Sequence, residues 1–329
     1  MGEFELIQRY FTRPVRQAVL GVGDDCALLQ PSPGMHLAIS TDMLVAGRHF
    51  FADVNPFTLG HKALAVNLSD LAACGARPMA FTLALSLPQA EDAWLAPFAQ
   101  GLWALADAHG CELIGGDTTH GPLNICIAVF GEVPAGQALL RSGARPGDDL
   151  YVSGTLGDAR LALEMLQGRL QLPAPLLAAA RQRLEMPTPR LALGQALRGV
   201  ASAAADISDG LLGDLGHILQ RSKVGATLHT DIAITLIAAY ARSAGVNATF
   251  EHAVDRPLAL QCVLAGGDDY ELVFTAPPHQ RAAVQAASTA SGTPVTRIGQ
   301  IDATPGLRLV DANGLPVDGT FASFDHFAH

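Results

Sequence analysis

The sequence Leu37-Ala-Ile-Ser-Thr-Asp42-Met-Leu-Val-Ala-Gly-Arg-His49-Phe50 is the stretch from which the fold can be inferred. Its apolar, β-branched beginning predicts a strand over 37–40, which delivers Ser40, Thr41 and Asp42 at its end. Hydroxyl and carboxylate oxygens are the ligands that Mg²⁺ prefers, with water completing an octahedral shell. Read alone, however, the stretch fits an ordinary cap or turn better than a metal site.

The same pattern of an apolar run, small residues and an aspartate recurs along the chain. A carboxylate beside such hydrophobic segments is costly unless a cation compensates its charge. The repetition therefore predicts a carboxylate cluster that holds several Mg²⁺ ions and bridges a polyphosphate. The members of this predicted cluster are Asp25, Asp42, Asp70, Asp117, Asp206 and Asp209.

Length and charge narrow the class of protein. A chain of 329 residues, 49% of them hydrophobic, is long enough for two domains with separate cores. The net charge of −10 argues against a nucleic-acid partner or an anionic membrane. Because there are only two lysines against nineteen arginines, bound phosphates would have to be neutralised by arginine, backbone N–H groups and metal.

The cysteines and the N-terminus indicate a cytoplasmic protein. The five cysteines show neither a CxxC pair nor zinc-ligand spacing, which predicts reduced thiols rather than a disulfide framework. The first residues carry acids and no apolar core, so they do not resemble a signal peptide. No apolar run approaches the length of a membrane span.

The pattern of apolar residues predicts a domain of mixed helices and strands followed by a second α/β domain. A turn-dense segment at 141–148 places the boundary between domains 1–140 and 141–329. Ser208 or Asp209 is expected to cap the helix that follows. Paired Ser-Asp and Gly-Gly-Asp motifs in both parts suggest two related halves. Helices are expected at 3–11, 58–74, 92–109, 158–166 and 209–219, and strands at 21–29, 37–40, 81–87, 113–117, 124–131, 150–153 and 271–275.

The common nucleotide-binding and hydrolase motifs are absent from the sequence. No Gly-Lys pair occurs, which excludes a P-loop, and Gly21-Val-Gly23 is followed by residues that break the dinucleotide fingerprint. Neither a protein-kinase catalytic loop nor a Gly-x-Ser-x-Gly elbow is present. The carboxylates and their glycines are therefore the principal chemical signal.

Six motifs in a fixed order carry a resemblance to a known family. Together they resemble the thiamine-monophosphate kinases, in the superfamily that includes aminoimidazole ribonucleotide synthetase. The motifs are Gly21-Val-Gly-Asp-Asp25, Ser40-Thr-Asp-Met-Leu-Val-Ala-Gly-Arg-His-Phe50, Lys62-Ala-Leu-Ala-Val-Asn-Leu-Ser-Asp-Leu-Ala-Ala-Cys-Gly-Ala-Arg-Pro78, Gly115-Gly-Asp-Thr-Thr119, Asp206-Ile-Ser-Asp-Gly-Leu211 and Gly266-Gly-Asp-Asp-Tyr-Glu-Leu272.

The resemblance implies a fold, an activity and an assembly. The fold is an α/β (α+β) arrangement in two domains, with an N-terminal mixed sheet and a C-terminal α/β domain that closes the active-site cleft. The activity is ATP-dependent phosphorylation of thiamine monophosphate to thiamine diphosphate, with several Mg²⁺ ions. The assembly is a homodimer whose N-terminal domains join their sheets.

The resemblance also assigns roles to individual residues. Catalysis falls to Asp42, Asp117 and Asp209, and ATP binding to Gly116, Asp117, Arg141 and Ser208. Binding of thiamine monophosphate is assigned to His49, Asp268 and Phe324. At position 268 the family usually has a glutamate, and the aspartate found here has a shorter side chain. Asp24 is either a further ligand or a turn residue that supports Asp25. The metal ligands are Asp25, Ser40, Thr41, Asp42, Asp70, Asp117, Asp206 and Asp209.

The expected chemistry is direct in-line transfer of the γ-phosphoryl group. The acceptor is a phosphate whose second pKa is about 6, so its attacking oxygen needs no general base at neutral pH. Two alternatives remain open from the sequence: an ATP-dependent ligase like aminoimidazole ribonucleotide synthetase, and a non-catalytic Mg-nucleotide-binding module. A selenophosphate synthetase or a hydrogenase-maturation protein would need a reactive or C-terminal cysteine that the sequence does not provide.

Overall fold

The structure is a computed structural model that describes residues 2–237, 254–319 and 321. Phe324, predicted to contact the substrate, lies outside these residues. The chain divides into two compact units: Met1–Leu71 with Ala76–Ala138, and Ala72–Gly75 with Leu139–His329. In the described ranges, no helix is long and apolar enough to cross a membrane.

The N-terminal unit is built on a four-stranded mixed sheet. Its strands lie in the order β1-β4-β2-β3, with β2 and β3 parallel and the other pairs antiparallel, which confirms the predicted mixed sheet with helices. The first predicted helix is divided into a short α-helix and a π-helical turn at Ile7–Phe11. The elements are α1 (Glu3–Leu6), β1 (Met35–Val45), α2 (Pro56–Ala73), β2 (Arg77–Leu87), α3 (Asp92–His109), β3 (Glu112–His120) and β4 (Asn124–Pro134).

Strand β1 is longer than the sequence predicted. The prediction ended it at Ser40, but antiparallel pairing with β4 continues as far as Val45 opposite Asn124. The polar residues 40–42 therefore lie within the strand, because pairing with β4 is made by the backbone and does not require apolar side chains. As side chains alternate along a strand, Ser40 and Asp42 share one face of the sheet and Thr41 lies on the other.

Helices α2 and α3 pack closely through a reciprocal pair of glycines. A Cβ at Gly60 would lie 2.0 Å from the carbonyl oxygen of Phe98, and one at Gly101 would lie 1.9 Å from that of Phe57. The continuous hydrophobicity of α2 predicted burial on most sides, and from Leu59 onward the helix is almost entirely buried. Close packing of α2 matters for the site, because this helix also carries Asp70.

Two glycine motifs in this unit differ from prediction. Residues 21–29 form only isolated bridges, between Leu20 and Leu28 and between Val22 and Asp24, and not the predicted strand. The Gly115-Gly-Asp117 motif does not end β3, which continues to His120 alongside β2. Here, as in β1, a partner strand extends the element beyond the point where its apolar residues stop.

The C-terminal unit contains a six-stranded mixed sheet in the order β10-β7-β9-β5-β8-β6, which confirms the predicted α/β class. Its core includes Leu150, Val152, Ile207, Leu215 and Val273, all buried. The elements are β5 (Asp149–Ser153), α4 (Asp158–Leu166), α5 (Ala174–Glu185), α6 (Leu191–Ala196), β6 (Ala203–Ile207), α7 (Leu211–Ser222), β7 (Gly225–His229), α8 (Thr230–Ile234), α9 (Arg256–Ala265), β8 (Glu271–Ala276), a 3₁₀ turn (Pro278–Gln280), α10 (Arg281–Ser291), β9 (Val295–Asp302) and β10 (Gly306–Val310).

The motifs that suggested two related halves adopt different conformations. Ser69-Asp70 lies inside helix α2, whereas Ser208-Asp209 lies in the turn between β6 and α7. Gly115-Gly-Asp117 belongs to strand β3, whereas 266–268 forms a turn before β8. The repeated letters therefore do not mark equivalent structural positions.

Candidate active site

One group of predicted site residues forms where β1 packs against α2. The Oγ of Ser40 donates a hydrogen bond to Oδ2 of Asp70 (2.5 Å), and the backbone N–H of Asp42 donates to Oδ1 of Asn67 (2.9 Å). Asn67 is buried and was not predicted, although its spacing of three residues from Asp70 places both on one face of a helix. Thr41 lies on the opposite face of the sheet, so only its backbone carbonyl suits a ligand shared with Asp42.

His49 belongs to a tight turn at the end of β1. Its backbone N–H donates to the carbonyl of Val45 (3.0 Å), while its Nδ1 accepts from the Val45 N–H (3.0 Å). A neutral imidazole with an accepting Nδ1 carries its hydrogen on Nε2. The turn thus fixes His49 as an N–H donor, which is the polarity required for binding a phosphate oxygen.

A second group of predicted residues lines a cavity beside β3. The cavity has a volume of about 710 Å³ and is lined by Asp24, Asp25, Gly116 and Asp117, among others. Gly116 has φ +152°, and a Cβ there would lie 1.9 Å from the carbonyl oxygen of Leu83, so only glycine fits. Asp25, which lies in the segment that does not form the predicted strand, lines the same cavity as Gly116 and Asp117.

The sheet separates these two groups. Asp42 pairs with Ile127, which pairs with Leu83, which in turn pairs with Gly116. The two predicted clusters therefore lie on opposite edge strands, three inter-strand spacings or about 14 Å apart along the sheet. The acids predicted as one cluster form two groups in this unit.

In the C-terminal unit, the predicted residues Ser208 and Asp209 follow directly after β6. The prediction that one of them caps α7 was wrong, because Gly210 occupies that position and makes no side-chain cap. Instead, Oδ2 of Asp214, in the first turn of α7, accepts the backbone N–H groups of Ser208 (3.0 Å) and Asp209 (3.1 Å). The helix thus holds the segment before it, the reverse of the predicted arrangement.

The carboxyl group of Asp214 has a raised pKa. Burial and the neighbouring Asp209 carboxylate raise the pKa of Asp214 to about 7, although the two backbone N–H donors and the charge of Arg141 oppose the shift. The predicted ATP-binding residue Arg141 therefore lies close enough to interact with this acidic segment. Its position is fixed through its carbonyl, which accepts a hydrogen bond from Oγ of Ser222 (3.2 Å).

The loop at 266–270 places Asp268, the predicted substrate-binding residue, beside Ser208 and Asp209. The N–H of Asp268 donates to the carbonyl of Ser208, and that of Tyr270 donates to Ile207, both at 2.8 Å. Gly267 has φ +70°, and a Cβ there would lie 2.9 Å from the Ser208 oxygen. Asp268 is thus held directly against the segment that contains Ser208 and Asp209, at the end of the strand that carries Asp206.

The donor set fits magnesium held together with a nucleotide better than a preformed protein cage. Among the residues that the structure describes, no three His, Cys, Asp or Glu side chains converge on a point that could hold a metal ion. Mg²⁺ is usually bound by one or two carboxylates, several waters and the phosphates of its substrate. The pairs of carboxylates and hydroxyls described above supply that kind of partial oxygen shell.

Comparisons with known proteins agree with the architecture. The family model for the AIR synthase related protein N-terminal domain matches residues 23–133, and that for the C-terminal domain matches residues 145–312. The thiamine-monophosphate kinase of Salmonella typhimurium is 50% identical over 333 residues, covering 99% of this chain and 98% of that protein.

Solved structures are similar over most of the chain. The crystal structure of thiamine-monophosphate kinase from Stenotrophomonas maltophilia K279a has a TM-score of 0.81 and 44% identity, covering 95% of this chain and 96% of that one. The structure of AaThiL complexed with AMPPCP and TMP has a TM-score of 0.74 and 30% identity, covering 91% of this chain and 89% of that one.

Proposed function

We propose that this chain, which belongs to the thiamine-monophosphate kinase family of AIR synthase related proteins, transfers the γ-phosphoryl group of ATP to thiamine monophosphate. The observation that carries the proposal is the full-length likeness to thiamine-monophosphate kinases at 40–50% identity. A related structure, at 30% identity, is a complex with AMPPCP and TMP. The product of the reaction is thiamine diphosphate.

The reaction joins two anions, so the active site must neutralise charge. Magnesium ions supply that neutralisation when they are bound. We assign their protein ligands to Asp25, Ser40, Asp42, Asp70, Asp117, Asp206 and Asp209, with Thr41 contributing its backbone carbonyl. The close Ser40–Asp70 pair and the shared cavity of Asp25 and Asp117 support this assignment.

The chain's own groups orient the two substrates. We assign ATP to Gly116, Asp117, Arg141 and Ser208, and the catalytic role to Asp42, Asp117 and Asp209, each acting through a metal ion that it would hold. The Nε2–H of His49 would donate to the acceptor phosphate, while Asp268 and Phe324 would contact the thiamine group. As the acceptor oxygen is already deprotonated, transfer needs no general base. We propose that it is direct and in line, without a phosphoenzyme.

A homodimer is the proposed assembly. On the face of β1 opposite α2, Ile39 is 60% exposed and Met43 is 55% exposed, and Leu37 on the same face is also exposed. Such an apolar face on an edge strand is typical of an interaction surface. Joining sheets would place strands that carry site residues at the interface. Sedimentation velocity should show a dimer, and a fully active monomer would contradict this part of the proposal.

We also propose that the enzyme acts in the cytoplasm. All five cysteines are free thiols, and two of them, Cys111 and Cys262, are buried in the core. Reduced thiols are typical of a cytosolic protein. Fractionation of cells that produce the protein would test this assignment, which fails if the protein is found outside the cytoplasm.

The decisive experiment is to measure ADP release with Mg-ATP in the presence and absence of thiamine monophosphate, and to identify the product by mass. We expect one thiamine diphosphate for each ADP. Asp42→Ala should lower the rate by about 100-fold or more, because it removes a proposed ligand of the metal-bound phosphates. Glu91→Ala, at an exposed helix N-cap where the side chain makes no capping bond, is the matched control and should keep full activity.

The outcomes distinguish the rival functions. Turnover that depends on formylglycinamidine ribotide would favour the ligase alternative. Tight Mg-ATP binding without turnover of either acceptor would favour a non-catalytic module. A covalent phosphoprotein on the reaction path would exclude direct in-line transfer.

A further inference from the structure

The turn that carries Asp268 has a backbone conformation that residues with a side chain seldom adopt. Asp268 has φ +59° and Tyr270 has φ +52°. In the described part of the chain, the only other non-glycine residue with positive φ is Lys223, at the end of a helix. Because contact between Cβ and the backbone disfavours this region for L-residues, the surrounding structure must hold the turn in place.

A fully buried carboxylate follows the turn immediately. Glu271 begins the interior strand β8 and has no solvent exposure. Its Oε2 accepts hydrogen bonds from Oγ of Ser153 (2.5 Å) and from Nε of Arg190 (2.6 Å). Its Oε1 accepts from Nη2 of Arg183 (2.7 Å) and from Nη2 of Arg190. Ser153 in turn accepts the backbone N–H of Leu272 (2.8 Å), which ties the network to β8.

The two arginines bind Glu271 in different ways. Arg190 contacts both carboxylate oxygens through two nitrogens, an arrangement that only a guanidinium can make. Arg183 uses a single nitrogen, which also donates to the backbone carbonyl of Asp269 in the turn (3.3 Å). Arg183 therefore links the buried carboxylate directly to the strained backbone.

The middle of the turn is fixed from its other side. Both carboxylate oxygens of Asp269 accept the N–H of Gly157, at 3.0 and 3.1 Å, where α4 begins. Gly154 leaves the space that Glu271 needs, because a Cβ there would lie 2.2 Å from the Glu271 Oε1. The turn is thus anchored at Asp269 and at Glu271, while Asp268 lies on the segment that contains Ser208.

We propose that Glu271 is a positioning residue: clamped by Arg190 and Arg183, it fixes the Asp268–Tyr270 turn and thereby places the Asp268 carboxylate for thiamine monophosphate. The inference rests on the proposed function, in which Asp268 contacts this substrate. A buried ion cluster is a poor source of stability compared with apolar packing of the same volume. The ion cluster instead has a geometric role, because it holds the turn in a backbone conformation that is unfavourable without these contacts.

The kinetic test uses charge-preserving variants, because Glu271→Gln would leave two guanidinium groups without their shared partner and risks loss of folding. Arg190→Lys breaks the two-nitrogen contact and should raise the KM for thiamine monophosphate at least tenfold, with the KM for ATP changed less than twofold. Arg183→Lys preserves a one-nitrogen contact and should raise it less than threefold. Arg181→Lys, in the surface pair of α5 with Glu185 (2.6 Å), is the control and should change neither KM.

A double-mutant cycle tests whether Arg190 acts through Asp268. Asp268→Asn alone should raise the KM for thiamine monophosphate, and adding Arg190→Lys should raise it little further. Fully multiplicative effects of the two changes would overturn the proposal. An equal rise in the KM for both substrates would also overturn it, because a purely structural role predicts no substrate preference.

Hydrogen exchange provides a readout that does not depend on activity. The amides of peptide 266–272 should exchange at least tenfold faster in Arg190→Lys than in the wild type, and at the wild-type rate in Arg181→Lys. Unchanged exchange in Arg190→Lys would overturn the positioning role. If the wild type formed no thiamine diphosphate, the proposed function would fail, and with it the assignment to this substrate. The exchange result would then still decide whether Glu271 fixes the turn.

Discussion

Strand β1 and the 266–270 turn both carry predicted site residues, but they position them by opposite means. On β1, Ser40 and Asp42 lie on a regular strand whose register with β4 fixes their direction. In the turn, Asp268 has a left-handed backbone and depends on buried charges around it. A regular element thus places side chains through its own period, whereas a strained turn places them only through its surroundings.

The comparison indicates where each region is vulnerable. A substitution in β1 changes one side chain and leaves the hydrogen-bonded ladder intact, provided that the new residue suits a strand. A substitution of a residue that anchors the turn weakens the hydrogen bonds that hold Asp268, Asp269 and Tyr270 in their strained backbone conformation. We therefore expect larger effects on folding from the turn than from the strand.

The largest expected effect is that of Gly267→Ala. The methyl group would meet a left-handed φ of +70° and the Ser208 carbonyl at 2.9 Å, so the free energy of unfolding should fall by about 2–4 kcal/mol. Chemical denaturation measures this change. Gly314→Ala is the matched control, with a φ of +78° and no atom within 4 Å of the added Cβ, and should cost about 1 kcal/mol. Equal losses in the two variants would show that packing against Ser208 is unimportant.

Asp149 is a buried carboxylate on a regular strand, so a substitution there tests the effect of charge without that of backbone strain. Asp149 in β5 accepts hydrogen bonds from Arg281 (2.6 and 2.8 Å) and Arg297 (3.0 Å), and the bond from Arg281 is the main cause of its lowered pKa. Asp149→Asn should lower the free energy of unfolding at pH 7 by about 1.5–3 kcal/mol, the range for hydrogen bonds to a charged group, with the half-exposed arginines favouring its lower part.

The pH dependence of this variant has a definite sign. Because the pKa of Asp149 is lower in the folded state, its contribution is complete above the unfolded value of about 4 and is lost as the pH falls through the folded value. The difference between wild type and Asp149→Asn should therefore shrink below about pH 4, as measured by denaturation from pH 3 to pH 7. A difference that stays constant over this range would contradict the assignment.

The smallest effects of this series are expected from substitutions of Ser40 and Thr41, which compare the two faces of β1. Ser40→Ala removes the hydrogen bond to Asp70 and should lower kcat/KM for Mg-ATP by about tenfold, equivalent to about 1.4 kcal/mol. Thr41→Val retains a β-branched side chain on the other face and should lower it less than twofold. Steady-state kinetics would distinguish them, and an equal or greater loss in Thr41→Val would show that its hydroxyl takes part.

Much of the fold could be predicted from the sequence, because it depends on local pattern. The apolar spacing predicted α3 with its true ends at Asp92 and His109, and Gly110 does adopt the left-handed conformation that ends such a helix. The prediction for β1 was too short, because pairing with β4 is a contact between residues distant in the sequence. Local pattern identifies elements, but their partners set their ends.

The candidates for the site could be identified from the sequence alone, because aspartates beside apolar runs are chemically conspicuous. The sequence could not determine how those residues are held. The tertiary structure brings the side chain of Asn67 to the backbone N–H of Asp42, and that of Asp214 to the N–H of Ser208. It also brings Arg183 and Arg190 into hydrogen-bonding distance of Glu271. The physical reason is that a buried polar group must find a partner wherever the fold brings one within hydrogen-bonding distance, and neither periodicity nor spacing along the chain encodes that distance.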